Sequence, residues 1–520
     1  MTYTGRRISR RDAFKLAAAG AAALSAAPRA RSAQPLSGKP NILFIMADQY
    51  RGDCVGADGN TAIITPHLDR IAREGVLFSK AYTSMPSCTP ARAGLLSGLS
   101  PWNHGMLAYG KVGWKYPREL PQEMRNAGYY TLGIGKMHWS PQRSLHGFHQ
   151  TILDESSRVE SIDFRSDYQS WFYSQAPTLD WHATGLGFND YDARPYVLPE
   201  RLHTVAWTGD TAVNFLANYD REEPFFLKIS FARPHSPYDP PERFWKLYED
   251  RDIPKAVVGE WAAKYAPRSG DEPNIWHGDL GPEQVRTSRI GYYGNVTFID
   301  EQIGRMLTTL EDRGWLENTL ILFTADHGDM TGDHHLWRKT YAYEASARIP
   351  MIIRWPEGLV NAKRGQRLRQ PVELRDVMAT FLDAAGAGVP DDIDGDSLLK
   401  LARGETDGWR PWLDLEHGRC YGPENHWNAL TDGRWKYIYH AHLGEEQLFD
   451  LDTDPDELTD LSKANPAETA RWRDRMIEHL SVRGEHFVKD GKLVVREESL
   501  LYGPNYPGTW EDAQKAGKTG

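Results

Sequence analysis

The amino-acid sequence predicts an α/β fold with a large, mainly parallel sheet flanked by helices, followed by a smaller C-terminal α+β domain built on an antiparallel sheet. From Lys39 onward, short apolar runs alternate with stretches of helical length, which is typical of βαβ units whose sheet is covered on both faces. After about Pro390, the apolar segments become shorter and alternate with polar residues, which favours antiparallel strands. We therefore predict a larger domain over 38–390 and a smaller one over 391–520.

Five apolar runs predict the strands of the larger sheet. They cover Asn41–Ala47, Val76–Tyr82, Tyr130–Gly135, Phe225–Ala232 and Thr319–Ala325. A helix after the first strand is predicted from Thr65 as its N-cap, Pro66 in its first turn and Gly75 at its end. A second helix, from about Asn295 to Arg313, precedes the last of these strands.

Three alternating segments predict the antiparallel sheet of the smaller domain. They cover Trp427–Leu430, Trp435–His440 and Glu446–Leu451. The Asp432-Gly433 pair is a turn signal between two of them. A helix from about Pro466 to Arg483 follows the last strand.

Two segments of the larger domain, 150–224 and 237–287, are rich in Trp, Tyr, Pro, Asp and Gly and lack clear periodicity. We interpret them as insertions that shape the rim of a pocket. The chain contains 18 Trp and 24 Tyr. Such rings could line a cleft that stacks against sugars, or they could pack between helices and sheet, which is their commoner use.

Residues 1–33 are predicted to be a twin-arginine signal peptide rather than part of the fold. Arg6 and Arg7 belong to a charged start, residues 16–27 form an Ala-rich apolar run, and residues 30–33 offer small side chains for cleavage. The apolar run is too short to span a bilayer. The expected partner is the twin-arginine translocase, and the expected location is the periplasm or the outside of the cell.

The composition excludes several classes of partner. Asp and Glu exceed Lys and Arg, 71 against 61, and the charges are interspersed, so neither nucleic acid nor an anionic membrane surface is expected as a partner. The three cysteines, Cys54, Cys88 and Cys420, are too few for a disulfide framework in an exported protein of this length. A single bridge between Cys54 and Cys420 remains an alternative.

Polar or reactive residues follow each predicted strand of the larger sheet. In an open α/β sheet, ligands bind in the crevice outside the carboxyl ends of the strands, so we expect these groups to converge on one site. In chain order they are Asp48 and Gln49, Cys88, Lys136 and His138, His235, and Asp326 and His327.

Four of these residues predict a metal site. Asp48 and Gln49 supply hard oxygen ligands, and Asp326 and His327 add a carboxylate and an imidazole 277 positions later. Such a donor set suits one divalent cation. The alternatives are a helix cap for Asp326 and a hydrogen-bonded core residue for His327.

Cys88 lies in the run Ser87-Cys88-Thr89-Pro90-Ala91-Arg92, which is followed by a small-residue helical stretch. The pattern Cys-x-Pro-x-Arg resembles the signature of the type I sulfatases, a family of the alkaline phosphatase-like superfamily. In that family a formylglycine-generating enzyme oxidises the cysteine to Cα-formylglycine, whose hydrated aldehyde is the nucleophile. A geminal diol suits this role, because one hydroxyl can attack sulfur and the other can then expel sulfate by re-forming the carbonyl. The alternative is that Cys88 is a small buried apolar residue.

The resemblance also implies the metal and the residue at position 88 as one of its ligands. Family members usually bind calcium through an Asp-Asp pair and an Asp-Asn or Asp-His pair. Here Gln49 stands in place of the second Asp, which removes one negative charge and leaves magnesium or manganese as alternatives.

The resemblance implies roles for five further residues. Arg92, one helical turn after Cys88, is expected to hold the oxygens of the modified side chain. Lys136 would bind sulfate, and His138 would act as the base that releases it. His235 and Lys339 are expected near the leaving-group oxygen, where protonation matters most for alkyl and sugar sulfates.

The function that this resemblance implies is hydrolysis of aryl or carbohydrate sulfates by the larger, catalytic domain, and the resemblance extends from Asn41 to about Leu461. The expected substrate is a sulfated small molecule or glycan. One alternative is a phosphonate monoester or phosphodiester hydrolase of the same superfamily, which uses the same modified cysteine. Another is a non-catalytic binder of sulfated glycans in which Cys88 is not converted.

Overall fold

The computed structural model describes residues 38–517 except 157, 160 and 162. The predicted signal peptide of residues 1–33 therefore lies outside the described residues. Among the described residues, no helix is both long enough and apolar enough to cross a membrane.

Strands and helices alternate through most of the described chain. The strands are β1 (Asn41–Asp48), β2 (Val76–Phe78), β3 (Ala81–Tyr82), β4 (Tyr130–Gly135), β5 (Gln150–Leu153), β6 (Phe225–Pro234), β7 (Thr319–Ala325), β8 (Met351–Arg354), β9 (Gln366–Leu368), β10 (Val372–Glu373), β11 (Leu413–His417), β12 (Trp427–Thr431), β13 (Trp435–His440), β14 (Glu445–Asp450), β15 (Val488–Lys489) and β16 (Lys492–Leu493). The helices are α1 (Pro66–Arg73), α2 (Cys88–Ser97), α3 (Pro101–His104), α4 (Leu120–Asn126), α5 (Asp167–Gln175), α6 (Thr204–Asn218), α7 (Glu242–Glu249), α8 (Gly281–Asp312), α9 (Glu344–Ala347), α10 (Asp376–Ala384), α11 (Leu398–Ala402), α12 (Pro466–Ser481) and α13 (Trp510–Lys515).

The main sheet has eight strands in the order β5-β4-β6-β1-β7-β8-β2-β9. Its neighbouring strands are parallel except at β7-β8 and β8-β2, so β8 runs against the others. Strands β1, β6 and β7 are buried along their whole length, as continuous apolar runs in a parallel sheet should be. Helices α6 and α8 pack against β6, and Phe381 of α10 packs against Phe44 of β1. The predicted α/β fold with a mainly parallel sheet is confirmed.

The antiparallel sheet has the order β11-β12-β13-β14. Three of its strands match the predicted segments, and β11 was not predicted from the sequence. The apolar side of α12 packs against the sheet through Trp472, Met476 and Leu480. The boundary between the two domains, placed near residue 390, stays a prediction.

Two details of the sequence prediction are wrong. The run Val76–Tyr82 is not one strand, because β2 joins the main sheet while β3 pairs with β10 in a separate two-stranded sheet. Helix α8 begins at Gly281, 14 positions before the predicted start at residue 295. Thr65 is the N-cap residue of α1, as predicted, but its side chain does not bond to the helix start. Its hydroxyl accepts the Gly56 N–H at 2.9 Å, and the carboxylate of Asp300 binds the backbone N–H groups of His67 and Leu68 instead.

The predicted insertion 150–224 contributes to a small cavity beside the end of β6. The cavity has a volume of about 20 Å³ and combines aromatic rings with charged groups. Its lining includes Tyr168, Trp181, Phe188, Tyr196, Arg233 and Asp239. The three cysteines are free, so the alternative of a bridge between Cys54 and Cys420 is not realised.

Candidate active site

Four neighbouring parallel strands, β4, β6, β1 and β7, deliver polar side chains to one edge of the main sheet. Lys136 follows β4, His235 follows β6, Asp48 ends β1 and Asp326 follows β7. The register of β1 against β6 shifts between Ala47 and Asp48. The predicted convergence at the carboxyl ends of the strands therefore holds for these four groups.

Cys88 reaches the same place by a different route from the one predicted. It is the first residue of α2, and the strand before it, β3, is not part of the main sheet. The side chain is fully buried, and its Sγ lies 3.1 Å from Nε2 of His327 and 3.4 Å from Oδ1 of Asp48. The Nζ of Lys136 is 3.8 Å away. The thiol at the start of α2 thus lies among a carboxylate, an imidazole and an ammonium group.

The side chains of Asp48, Cys88, Asp326 and His327 form a compact donor cluster. One ligand atom from each lies within 4.8 Å of all the others, and all four residues are buried. Nδ1 of His327 lies 2.8 Å from the Gly328 carbonyl oxygen, an arrangement that leaves the Nε2 lone pair directed at the cluster. Two carboxylates and one imidazole fit a divalent cation, with position 88 as a further ligand.

Gln49, the other predicted metal ligand, has a left-handed backbone with φ 67°. Its amide oxygen accepts a hydrogen bond from Nζ of Lys339 at 2.7 Å, and its amide nitrogen donates to Oδ2 of Asp329 at 2.5 Å. A carboxylate at position 49 would face the Asp329 carboxylate instead of donating to it. This contact needs a donor at position 49, which an amide supplies and a carboxylate does not.

Arg92 braces the site from α2. Its Nε donates to Oδ2 of Asp326 at 3.0 Å, and its Nη1 donates to the Lys136 carbonyl oxygen and to Oγ of Ser230. The Nη2 atom is buried and has no hydrogen-bond partner among the described residues. Arg92 therefore holds a carboxylate of the donor cluster and keeps one donor available.

Lys136 is fully buried and forms an ion pair with the carboxylate of Asp48. Burial alone would raise the pKa of Asp48, but the charge of Lys136 and its neighbours lowers it well below its usual range. Burial and Asp48 also oppose ionisation of Cys88, yet Lys136, Lys339 and His327 outweigh them and lower the pKa of the Cys88 thiol to about 7. The pocket thus favours negative charge at position 88.

His138 adopts φ 63°, a conformation fixed by Oε1 of Glu155, which accepts its backbone N–H at 2.9 Å. Its Nε2 lies 3.4 Å from the hydroxyl of Tyr109, and its Nδ1 is buried without a partner among the described residues. Burial, followed by the charges of Arg158 and Lys136, lowers the pKa of His138 well below its usual value. The imidazole is neutral at pH 7 and can accept a proton, but it makes no hydrogen bond to Cys88.

His235 and Lys339 form a hydrogen-bonded pair next to Gln49. Nζ of Lys339 lies 2.8 Å from Nε2 of His235, while Nδ1 of His235 lies 2.9 Å from the Ser236 carbonyl oxygen. Burial and the charge of Lys339 lower the pKa of His235 well below its usual value. Because the Ser236 carbonyl oxygen can only accept a hydrogen bond, Nδ1 of His235 carries a hydrogen, and Nε2 of the neutral imidazole accepts from Nζ of Lys339.

Sequence reasoning missed several residues that the structure brings to the site. Tyr109 and Arg158 lie in loops beside His138, and Asp329 lies below Gln49. His417, from the antiparallel sheet, lies 2.8 Å from the hydroxyl of Ser87, the residue before Cys88. The lone Tyr and Arg carry no motif, but His417 ends an alternating segment, Leu413–His417, that could have been read as a strand.

Comparisons with known proteins agree with this geometry. The sulfatase family model matches residues 40–387, and the model for the C-terminal part of N-sulphoglucosamine sulphohydrolase matches residues 332–483. An arylsulfatase of Clostridium perfringens is 39% identical over 474 residues, which cover 88% of this chain and 97% of the relative. A choline-sulfatase of Rhizobium meliloti is 31% identical, covering 92% of this chain and 95% of the relative. Among solved structures, a phosphonate monoester hydrolase from Silicibacter pomeroyi superimposes with a TM-score of 0.71 at 26% identity, covering 88% of this chain and all of that one.

Proposed function

The chain belongs to the sulfatase family and is a sulfuric ester hydrolase, and we propose that it cleaves aryl or carbohydrate sulfates with a formylglycine formed from Cys88 and one divalent cation. The observation that carries this proposal is the cluster of Asp48, Cys88, Asp326 and His327, whose ligand atoms lie within 4.8 Å of one another. A reactive position and a metal-binding donor set thus share one buried point.

The cation would be held by Asp48, Asp326 and His327, with Gln49 as a further oxygen donor. When bound, a divalent cation polarises sulfate oxygens and favours an ionised hydroxyl beside it. Calcium suits the carboxylate oxygens, and the neutral amide of Gln49 keeps magnesium and manganese as alternatives.

Two features support formylglycine at position 88. The surroundings of the residue favour negative charge at position 88, because they lower the pKa of the Cys88 thiol to about 7. The Nη2 atom of Arg92 is buried without a partner among the described residues and offers a hydrogen-bond donor in the same region. A hydrated aldehyde has two oxygens where the thiol has one sulfur, so it offers an additional acceptor for this donor. We assign the conversion to a formylglycine-generating enzyme as the maturation partner.

The residues around position 88 divide the work between binding and proton transfer. Lys136, already paired with Asp48, compensates the charge of the sulfate oxygens during in-line displacement. Asp326 accepts the proton of the attacking hydroxyl. His138 is neutral and removes the proton of the second hydroxyl so that sulfate leaves.

Lys339 and His235 act together on the leaving group. His235 is neutral, so the proton for the departing oxygen comes from the Lys339 ammonium, which lies 2.8 Å from Nε2 of His235. The imidazole orients the Lys339 ammonium by accepting a hydrogen bond from it.

The alternative activity is hydrolysis of phosphonate monoesters or phosphodiesters. The solved phosphonate monoester hydrolase that resembles this chain supports it, and an amide at position 49 is compatible with it. The names of the two sulfatase relatives favour sulfate esters. The third reading, a non-catalytic binder of sulfated glycans, has less support because the chain belongs to a family of hydrolases.

A side-by-side assay with nitrophenyl sulfate and a nitrophenyl phosphonate ester tests the choice. We expect the larger kcat/KM for the sulfate. Faster turnover of the phosphonate ester would reject sulfate ester hydrolysis as the main activity.

We further propose that the chain is exported by the twin-arginine translocase to the periplasm or beyond. The charged and apolar pattern of residues 1–33 supports this proposal. Export after folding would let the cysteine be converted and the metal be bound inside the cell. Cell fractionation of the native host, with and without a substitution of Arg6 and Arg7, tests it: retention of the double variant inside the cell is expected, and unchanged export would contradict it.

A further inference from the structure

The segment 499–512, which we name the C-terminal strap, lies against the loop 105–114 beside the active site. The strap follows the residues that the two family models match, which end at 483. An antiparallel bridge pairs Met106 with Tyr502. Three backbone hydrogen bonds join the two segments: Leu107 N–H to Leu501 O (3.0 Å), Gly503 N–H to Gly105 O (2.7 Å) and Trp114 N–H to Gly508 O (3.1 Å).

Two tyrosines of the C-terminal strap fix the middle of the loop. The hydroxyl oxygen of Tyr502 accepts the backbone N–H of Lys111 at 2.9 Å, and the hydroxyl of Tyr506 donates to the Lys111 carbonyl oxygen at 2.7 Å. The two rings stack with centroids 3.8 Å apart. A Cβ at Gly110 would lie 2.7 Å from the Tyr502 hydroxyl oxygen, so a larger residue there would have to displace the Tyr502 side chain.

The other side of the loop faces the reaction centre. The backbone N–H of Gly110 donates to the hydroxyl of Thr89, the residue after the nucleophile position, at 3.3 Å. The Tyr109 hydroxyl lies 3.4 Å from Nε2 of His138, while 43% of the Tyr109 surface stays exposed. Tyr109 therefore touches a proposed catalytic imidazole with its hydroxyl and is also accessible to solvent.

We propose that Tyr109 contacts the leaving group of the substrate, and that Tyr502 is the positioning residue through which the C-terminal strap holds Tyr109 in place. This inference rests on the proposed function, since it needs an ester bound at the reaction centre. A tyrosine ring provides a broad apolar face for an aromatic or sugar leaving group and a hydroxyl that can hydrogen-bond to it. Fixing the loop in advance reduces the ordering cost of binding.

The test is steady-state kinetics with nitrophenyl sulfate on the full-length variants Y109A, Y502A, Y502F and the double variant Y109A/Y502A. Because Tyr109 acts in binding, Y109A is expected to raise KM about tenfold with a change in kcat of less than about threefold. Y502A is expected to raise KM in the same way, and Y502F, which keeps the ring stack, by a smaller factor. The double variant is expected to be no worse than Y109A, because both changes act through one contact.

Y219F is the matched control, since it removes one tyrosine hydrogen bond, to the Glu223 carbonyl oxygen, far along the chain from this loop. Its KM should equal that of the wild type. If the effects of Y109A and Y502A on KM multiplied in the double variant, the proposal would be overturned. It would also be overturned if Y502F and Y502A lowered the Tm and left KM unchanged. A wild type without activity on sulfate or phosphonate esters would instead overturn the proposed function itself, so the two failures are distinguishable.

Discussion

The Sγ atom of Cys88 lies 3.1 Å from Nε2 of His327, although 239 positions separate the two residues in the chain. The Gly328 carbonyl oxygen lies beside the other ring nitrogen, so the lone pair of Nε2 faces position 88. Asp48 contacts the same sulfur from the end of β1. The proposed nucleophile and the proposed metal ligands are therefore one cluster, and changes to either should affect both.

The first prediction concerns the metal. We expect about one divalent cation per chain in the natively expressed protein, and a loss of more than about tenfold in metal affinity in D48N and H327A, because each removes a ligand. Elemental analysis after dialysis measures it. D220N, which changes an exposed aspartate, is the control and should keep its metal. Full metal content in both D48N and H327A would contradict the assignment.

The second prediction concerns His235. Replacing it with Ala removes the imidazole that orients Lys339 and leaves, among the described residues, only the bond to Gln49, so proton delivery to the leaving oxygen should weaken by about 10²–10⁴-fold in kcat. The loss should be larger for an alkyl or sugar sulfate than for nitrophenyl sulfate, whose phenolate leaves without full protonation. Comparing kcat for the two substrates measures this difference. Equal losses with both would show that His235 does not act on the leaving group.

The third prediction separates the two halves of the reaction at His138. Since His138 is expected to act only in the release of sulfate, H138A should release nitrophenol in a first turnover and then slow by about 10²–10⁴-fold. Rapid-mixing kinetics would show a burst that approaches one nitrophenol per active chain. A slow first turnover without a burst would place His138 in the first step instead.

The fourth prediction concerns stability and pH at Lys228. Its ammonium lies 5.8 Å from the ring centroids of both Phe44 and Trp139, and burial, with a smaller effect of Arg92, lowers the pKa of Lys228 to about 7. Between about pH 7 and the ordinary lysine pKa of about 10.4, the unfolded chain binds one more proton than the folded one, so the free energy of unfolding rises with pH over that range.

K228M should therefore stabilise the protein by about 1–3 kcal/mol at and below pH 7, and the gain should shrink as the pH approaches 10. Denaturant unfolding at several pH values measures it, with the exposed Lys115 changed to Met as the control. A gain that stays constant up to pH 10 would show that the charge of Lys228 is not the cause.

Much of the fold could be predicted from apolar runs. Strands β4 and β7 have the predicted bounds, because buried parallel strands are continuous apolar segments with polar ends. The early start of α8 could not be seen, because Gly291 and Gly294 weaken the helical pattern. Both positions leave little room for a side chain. A Cβ at Gly291 would lie 2.6 Å from the Tyr238 carbonyl oxygen, and a Cβ at Gly294 would lie 2.6 Å from Cγ of Pro240.

The site was predictable where residues follow strands or carry a motif, as Asp48, Cys88 and Asp326 do. The contacts between them were not. The bond between Gln49 and Asp329, for example, depends on a left-handed backbone at Gln49 that no local sequence pattern requires. Tyr109 could not be predicted, because the C-terminal strap that holds its loop lies almost 400 positions later in the chain and no local pattern links the two segments.

The central claim, that position 88 carries an aldehyde oxygen in place of the thiol, is tested most directly by mass spectrometry of the peptide that spans Cys88 from natively expressed protein. We expect the mass of formylglycine or its hydrate, together with sulfate ester hydrolysis that C88A abolishes. An intact thiol at position 88 in a fully active preparation would contradict the account.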